Sequence, residues 1–452
     1  MRLQSLRIIP TGPLAVLAIA AITLLLAACG GDSVRPTAAS SQDTPTQTVA
    51  TESPTQSSTG SGPPTAPATD AVAASPTLEN QEPANAPTQS AISAQPAKTE
   101  ESAFSGTVGG TVGDRAPEFA KIYNWINSEP LTMEELRGKV VLIDFWTYTC
   151  VNCIRTFPYL REWNEKYKDK GLAIIGVHTP EFDFEKVTEN VIASTNDHNL
   201  TWPMAQDNDF GTWLAYSNRF WPAKYLIDAE GIVRYTHFGE GAYLDTEEQI
   251  RKLLEEVGVS LDDVEIGDAS EPTADSRAYS SDRSIGLTRE LYGGYQRNAS
   301  SQGIYVAHER YYDGPSQTLN YADPGNHQNG FMYLQGPWTN GLEKLKHARE
   351  TQDNSDYIGL KFFATSVNAV IDPEGGPPFD VQATIDGRPL TAEEAGADLI
   401  LEDGRSFFIV DEARLFEVVA LPEFGGHELK LSANSPDFAF FAFTFGAYAE
   451  GP

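Results

Sequence analysis

A chain of 452 residues with a formal net charge of −31 is long enough for more than one domain. So acidic a body argues against a nucleic-acid partner and against lying flat on an anionic bilayer. Three cysteines in this length leave the folded parts to hydrophobic cores, exclude a disulfide framework, and supply no four-cysteine zinc site.

Arg2 and Arg7 precede an apolar stretch from Leu14 to Ala28 that is broken only by Thr23. A basic start, a short apolar core and small residues before a cut site predict an export signal rather than a spanning helix. Leu26-Ala27-Ala28-Cys29-Gly30 resembles a bacterial lipobox, which implies cleavage before Cys29 and lipidation of its sulfur. The expected location is therefore extracytoplasmic, with the protein anchored to the cell membrane as a lipoprotein. Residues 30–107 are rich in Ser, Thr, Pro, Ala and Gln and nearly without aromatics, a composition that predicts a disordered tether.

The folded body is expected to begin near residue 108. Val140 to Ile143 reads as a buried strand, and Asp144 to Cys153 follows it as DFWTYTCVNC. Ile154, Phe157, Leu160, Trp163 and Tyr167 then recur at helical spacing. Cys150 thus lies where a strand gives way to a helix, and unpaired amides there favour its thiolate. Cys153 lies one turn further on, close enough to close a small disulfide. A carboxylate at Asp144, inside an apolar strand, is costly to bury without a role; burial would raise its pKa and let it exchange a proton with Cys153.

Further along, Leu172–Val177 predicts a strand, Glu185–His198 a helix, Trp202–Ala205 a short strand, Ile232–Phe238 the partner of a hairpin and Thr246–Val257 a closing helix. Trp221-Pro222 opens an apolar strand, where a residue without an amide proton wastes no ladder donor. A cis bond there would turn the backbone toward an extended substrate. The pattern predicts an α/β domain over residues 108–259 built on a mixed sheet.

These motifs closely resemble the thioredoxin-fold TlpA/ResA branch and, in WTYTCVNC together with WPAKYLID, the redox domain of DipZ-type proteins. The resemblance implies a thiol-disulfide oxidoreductase with Cys150 attacking, Cys153 resolving, a redox-active Cys150–Cys153 disulfide and no other cofactor or metal. It also implies a cis-Pro222, a helix-kinking Pro158, and Glu181 as counterpart of a glutamate near the active site. Trp146, Glu181, Trp221 and Pro222 are the expected substrate-binding residues. The implied partners are protein disulfides or thiols, apocytochrome c among them, and a CcdA-like membrane electron donor, since no apolar run beyond the signal is long enough to span a bilayer. Two other readings remain open. One is a peroxiredoxin-type thiol peroxidase, suggested by Thr147-x-x-Cys150. The other is a non-enzymatic glycan-binding lipoprotein of the cell wall.

Residues 260–282 are polar and acidic and predict a linker. Residues 283–452 carry short β-rich runs separated by turns, with one helical stretch expected at Thr339–Arg349, and predict an all-β sandwich of jelly-roll type. This part resembles the β-rich, carbohydrate-binding-module-like domain of DipZ-type proteins. Trp338, Tyr311, Tyr312 and Tyr321 fit either stacking on a glycan or packing in a core. The carboxylates of Asp372–Glu374 fit either a calcium site or a solvated turn.

Overall fold

A computed structural model describes residues 106–267, 274, 276–298 and 303–448. The expected signal peptide, Cys29 and nearly all of the tether lie outside these residues. No helix among the described residues is long and apolar enough to cross a membrane.

The first part is a six-stranded sheet in the order β1-β4-β3-β2-β5-β6. Its strands are β1 (Asn124–Ile126), β2 (Val140–Trp146), β3 (Leu172–His178), β4 (Met204–Gln206), β5 (Ala223–Ile227) and β6 (Val233–Phe238). Every residue of β2 is buried, as its unbroken apolar run requires of a central strand covered on both faces. It pairs parallel with β3 and antiparallel with β5. Helices α1 (Val151–Ile154), α2 (Phe157–Tyr167), α3 (Thr188–Asp197), α4 (Gly211–Ala215) and α5 (Tyr243–Glu256) complete this part. Alternation along β2 sorts its side chains: Val140, Leu142 and Trp146 join the cluster that includes Cys153, Phe157 and Leu254, while Val141, Ile143 and Phe145 face Trp213 and Tyr216. This is the expected thioredoxin-type α/β fold. Residues 260–267 fold back onto it: Leu261 is buried and Arg251 donates to the carbonyl of Val264 at 2.9 Å.

The second part is all β, as expected, and its strands join antiparallel in one ten-stranded sheet. They are β7 (Leu291–Tyr292), β8 (Thr318–Tyr321), β9 (Met332–Asn340), β10 (Leu345–His347), β11 (Tyr357–Asp372), β12 (Phe379–Ile385), β13 (Ile400–Glu402), β14 (Arg405–Val410), β15 (Arg414–Ala433) and β16 (Ala439–Gly446). The first half of β11 pairs with β9 and the second half with β16, with register shifts between them that bend the long strand. The helix expected at Thr339–Arg349 is instead the β9–β10 hairpin. Helical spacing would put Leu342 and Leu345 on one face, but the fold buries Leu345 and leaves Leu342 exposed.

The two parts share a core. Val151 and Phe182 of the first belong to the apolar cluster of the second. Phe441 on β16 meets Phe182 at 5.0 Å and Phe184 at 4.8 Å between ring centroids, both edge-on.

Candidate functional site

Register brings the site together at one end of the sheet. Trp146 at the end of β2 pairs with His178 at the end of β3, and Phe145 pairs with Ala223 at the start of β5. The Cys loop, the segment after His178 and Pro222 therefore leave the sheet at the same edge. The Trp221–Pro222 bond is cis, as expected.

Cys150 is the N-cap of α1, in an extended conformation, and its Sγ accepts the amide of Cys153 at 3.2 Å. Since α1 is a single turn, this one amide contact is what fixes the direction of the Cys150 sulfur. Cys150 is half-buried and Cys153 is fully buried. Burial pushes the Cys153 thiol well above its usual range, and the neighbouring Cys150 adds to the effect. Both cysteines are free in this structure. Pro158 sits in the first turn of α2. It offers no amide proton to the carbonyl of Ile154, which is why the helix breaks between α1 and α2.

Asp144 is buried, on the β2 face that also covers Cys153. Burial raises its carboxyl to about 6, against the pull of Lys224. Lys224 is the residue directly opposite on β5, fully buried, with Nζ 3.5 Å from Asp144 Oδ1. This cross-strand ion pair lacks hydrogen-bond geometry, since both atoms are without a hydrogen-bond partner. Lys224 was missed from sequence alone; its signal was a lysine within the apolar run after Pro222.

The structure redirects two expected substrate contacts. Trp146 is buried, edge-on to Phe157 and His178, and presents no face to a substrate. The carboxylate of Glu181 turns to the β part, where Arg297 lies at 2.8 Å and the Tyr292 hydroxyl donates to it at 3.1 Å. Burial nevertheless lifts Glu181 to about 7. Trp221 is half-buried, packs on Trp213 at 4.3 Å and donates its indole N–H to the carbonyl of Thr179. Phe220 just before it is exposed.

A further carboxylate that the sequence did not single out is bonded to Thr149, the residue before Cys150. Glu185 is fully buried and accepts the Thr149 hydroxyl at 2.6 Å and the amide of Phe182 at 2.9 Å. Burial raises its pKa. Tyr148 also ties the Cys loop to its surroundings: its ring stacks on His178 and its hydroxyl donates to the carbonyl of Ala413 in the β part. Burial depresses His178 to about 3, so its ring is neutral.

In the β part, Trp338, Tyr311 and Tyr321 are buried in the core, so they are not available to stack on a glycan; Tyr312 packs against Tyr311 and donates to the carbonyl of Val306. Glu374 is held by Lys344 and Lys346, which occupy it as ion-pair partners. No cluster of metal-ligating side chains is present among the described residues.

The AhpC/TSA family pattern matches residues 112–236, and that of a thioredoxin-like C-terminal domain matches residues 288–446. Protein DipZ of Mycobacterium bovis is 37% identical over 287 residues, which cover 62% of this chain and 38% of DipZ. The thiol-disulfide oxidoreductase YkuV of Bacillus subtilis is 30% identical over 31% of this chain and 94% of its own length. ResA of Bacillus thuringiensis, another thiol-disulfide oxidoreductase, is 30% identical over 32% of this chain and 78% of its own. The thioredoxin domain of an oxidoreductase from Bacteroides vulgatus is 26% identical, with a TM-score of 0.27 over 31% of this chain and 96% of that one. With a thioredoxin-type sheet, a Cys-Val-Asn-Cys turn, and YkuV and ResA matched over 94% and 78% of their own lengths, the chain belongs to the thioredoxin-like thiol-disulfide oxidoreductases of the TlpA/ResA/DipZ type, although it spans only 38% of DipZ.

Proposed function

We propose that this oxidoreductase reduces disulfides in proteins outside the cytoplasm, with Cys150 attacking and Cys153 resolving. The single observation that carries the assignment is the contrast between the two sulfurs. Cys150 is partly accessible and capped by an amide, whereas Cys153 is buried with its thiol held protonated.

The thiolate of Cys150 attacks one sulfur of the substrate disulfide, and the other substrate sulfur departs as a thiolate that takes up a proton. Cys153 then gives its proton to Asp144 and attacks Cys150, which releases the second substrate thiolate and leaves Cys150–Cys153 oxidised. Asp144 suits this role because burial keeps its pKa near 6, high enough for a useful base at neutral pH. Trp221 and Pro222 precede β5 at the end of the sheet where the Cys loop leaves β2, and a role in pairing with an extended segment of substrate is proposed for them. The cycle needs a source of electrons, and a CcdA-like membrane protein is the donor proposed. A lipid on Cys29 would keep the enzyme beside it. Apocytochrome c and damaged exported proteins are the substrate classes proposed.

The test is a Cys153→Ala variant expressed in the native host, with mixed disulfides separated under non-reducing conditions. Covalent adducts of exported cysteine proteins on Cys150 are expected. A variant that traps nothing, while the equivalent Cys150→Ala variant does, would reverse the assignment.

A further inference from the structure

Glu185 is a buried carboxylate for which the exchange cycle has no use, yet it bridges two segments that the cycle needs. Its Oε1 accepts the hydroxyl of Thr149, the residue immediately before Cys150, and Thr149 is itself buried. Its Oε2 accepts the amides of Phe182 and Glu181. That second segment begins at Thr179, whose carbonyl receives the indole of Trp221 beside cis-Pro222. One carboxylate therefore connects the turn that carries Cys150 to the loop that supports the residues opposite it. A buried carboxylate is held in place by strong, charge-assisted bonds, and breaking one leaves the rest poorly solvated.

We propose that Glu185 is a positioning residue for disulfide exchange, acting through Thr149 to hold the turn that aims Cys150 Sγ at the amide of Cys153. The proposal rests on Cys150 being the attacking sulfur. The Cys150–amide contact at 3.2 Å fixes where the attacking sulfur points, and it depends on the turn staying closed. Loosening the turn costs the dithiol form this contact, misdirects the sulfur, slows attack and makes the dithiol form less favourable relative to the disulfide. A residue that only supported the fold would destabilise both redox forms alike and leave the balance between them unmoved.

Thr149→Val keeps the shape of the side chain and removes only the hydroxyl, so the full chain should still fold. Oxidised glutathione serves as the small disulfide, and the rate of its reaction with reduced protein is measured. In Thr149→Val that rate should fall about tenfold, the scale of one lost hydrogen bond to a charged group. The equilibrium between dithiol protein with oxidised glutathione, and disulfide protein with two reduced glutathiones, should shift severalfold toward the protein disulfide. Glu185→Ala, which also frees the amides of Phe182 and Glu181, should lose at least as much, and the double variant should be no worse than Glu185→Ala alone, because the Thr149 hydroxyl then has no bond to Glu185 left to lose. Glu185→Gln, which can still bridge the hydroxyl and the amides, should recover most of the rate.

Thr149→Val matching the parent in both rate and equilibrium would overturn the proposal, as would multiplicative losses in the double variant. Glu185→Gln as impaired as Glu185→Ala would also overturn it, in favour of a charge effect. Cys150→Ser is the control for the underlying reading: if it still exchanges with glutathione, it is the attacking role of Cys150 that fails, and not the tether.

Discussion

At the scale of single residues, the chemistry divides between groups set by their neighbours in the chain and groups set by their neighbours in space. Asp144 has both: its place in β2 buries it, and the antiparallel pairing with β5 sets Lys224 opposite. With its pKa raised to about 6, Asp144 is a carboxylate above that pH and can take the proton of Cys153; below it the group is already protonated. Asp144→Asn should therefore slow release of the mixed disulfide on the order of 10–100-fold at pH 7–8 and much less at pH 5, measured by rapid quench of a preformed mixed disulfide. Equal rates for parent and variant across that range would make Asp144 structural. Cys150, Cys153, Asp144 and Pro222 were legible because their signals are local: a spacing, a polar residue in an apolar run, a proline at a strand head. Glu185 was not, because its partner Thr149 is 36 positions away and nothing in Phe-Glu-Lys marks a buried acid. Trp146 was misread for a related reason. Its place beside the Cys motif suggested contact with substrate, whereas the end of a central strand is covered on both faces.

At the scale of elements, the apolar run Leu172–Val177 gave β3 to within one residue, and Val140–Ile143 gave the first part of β2, since burial of a whole strand leaves a strong imprint. Two elements of the β part were harder to read. Leu415–Ala420 and His427–Leu431 look like two strands parted by Pro422 and the Gly425-Gly426 pair. They form a single β15 whose register against β11 jumps between Ala420 and Gly425, so the turn-like residues mark an irregularity in one strand. At Thr339–Arg349 good helix formers were overridden by pairing of β10 with β9 and β16. Among the elements that join the two parts is β16, through Phe441 against Phe182 and Phe184. Phe441→Ala should lower stability by about 3–5 kcal/mol, read as a drop in Tm and an earlier denaturant midpoint. An unchanged midpoint would mean that these rings contribute little to the joint core.

At the scale of the whole molecule, the proposed anchor predicts a simple fractionation result. Cys29→Ser should leave the mature body in the soluble extracytoplasmic fraction or block its processing; a variant cut normally and still in the membrane would sink the lipoprotein reading. The joint core has a consequence for how such proteins are dissected. Cutting the chain after α5 would strip the cover from Phe182 and from Val151, the residue next to Cys150, both of which pack into the β part. The isolated redox fragment should then bind a fluorescent apolar dye that the intact chain excludes, and should form adducts with partners that the intact chain refuses. Selectivity in this enzyme would on that account be partly a matter of what its own second half keeps out of reach, and catalogues of targets gathered with the fragment should be longer than those gathered with the entire protein.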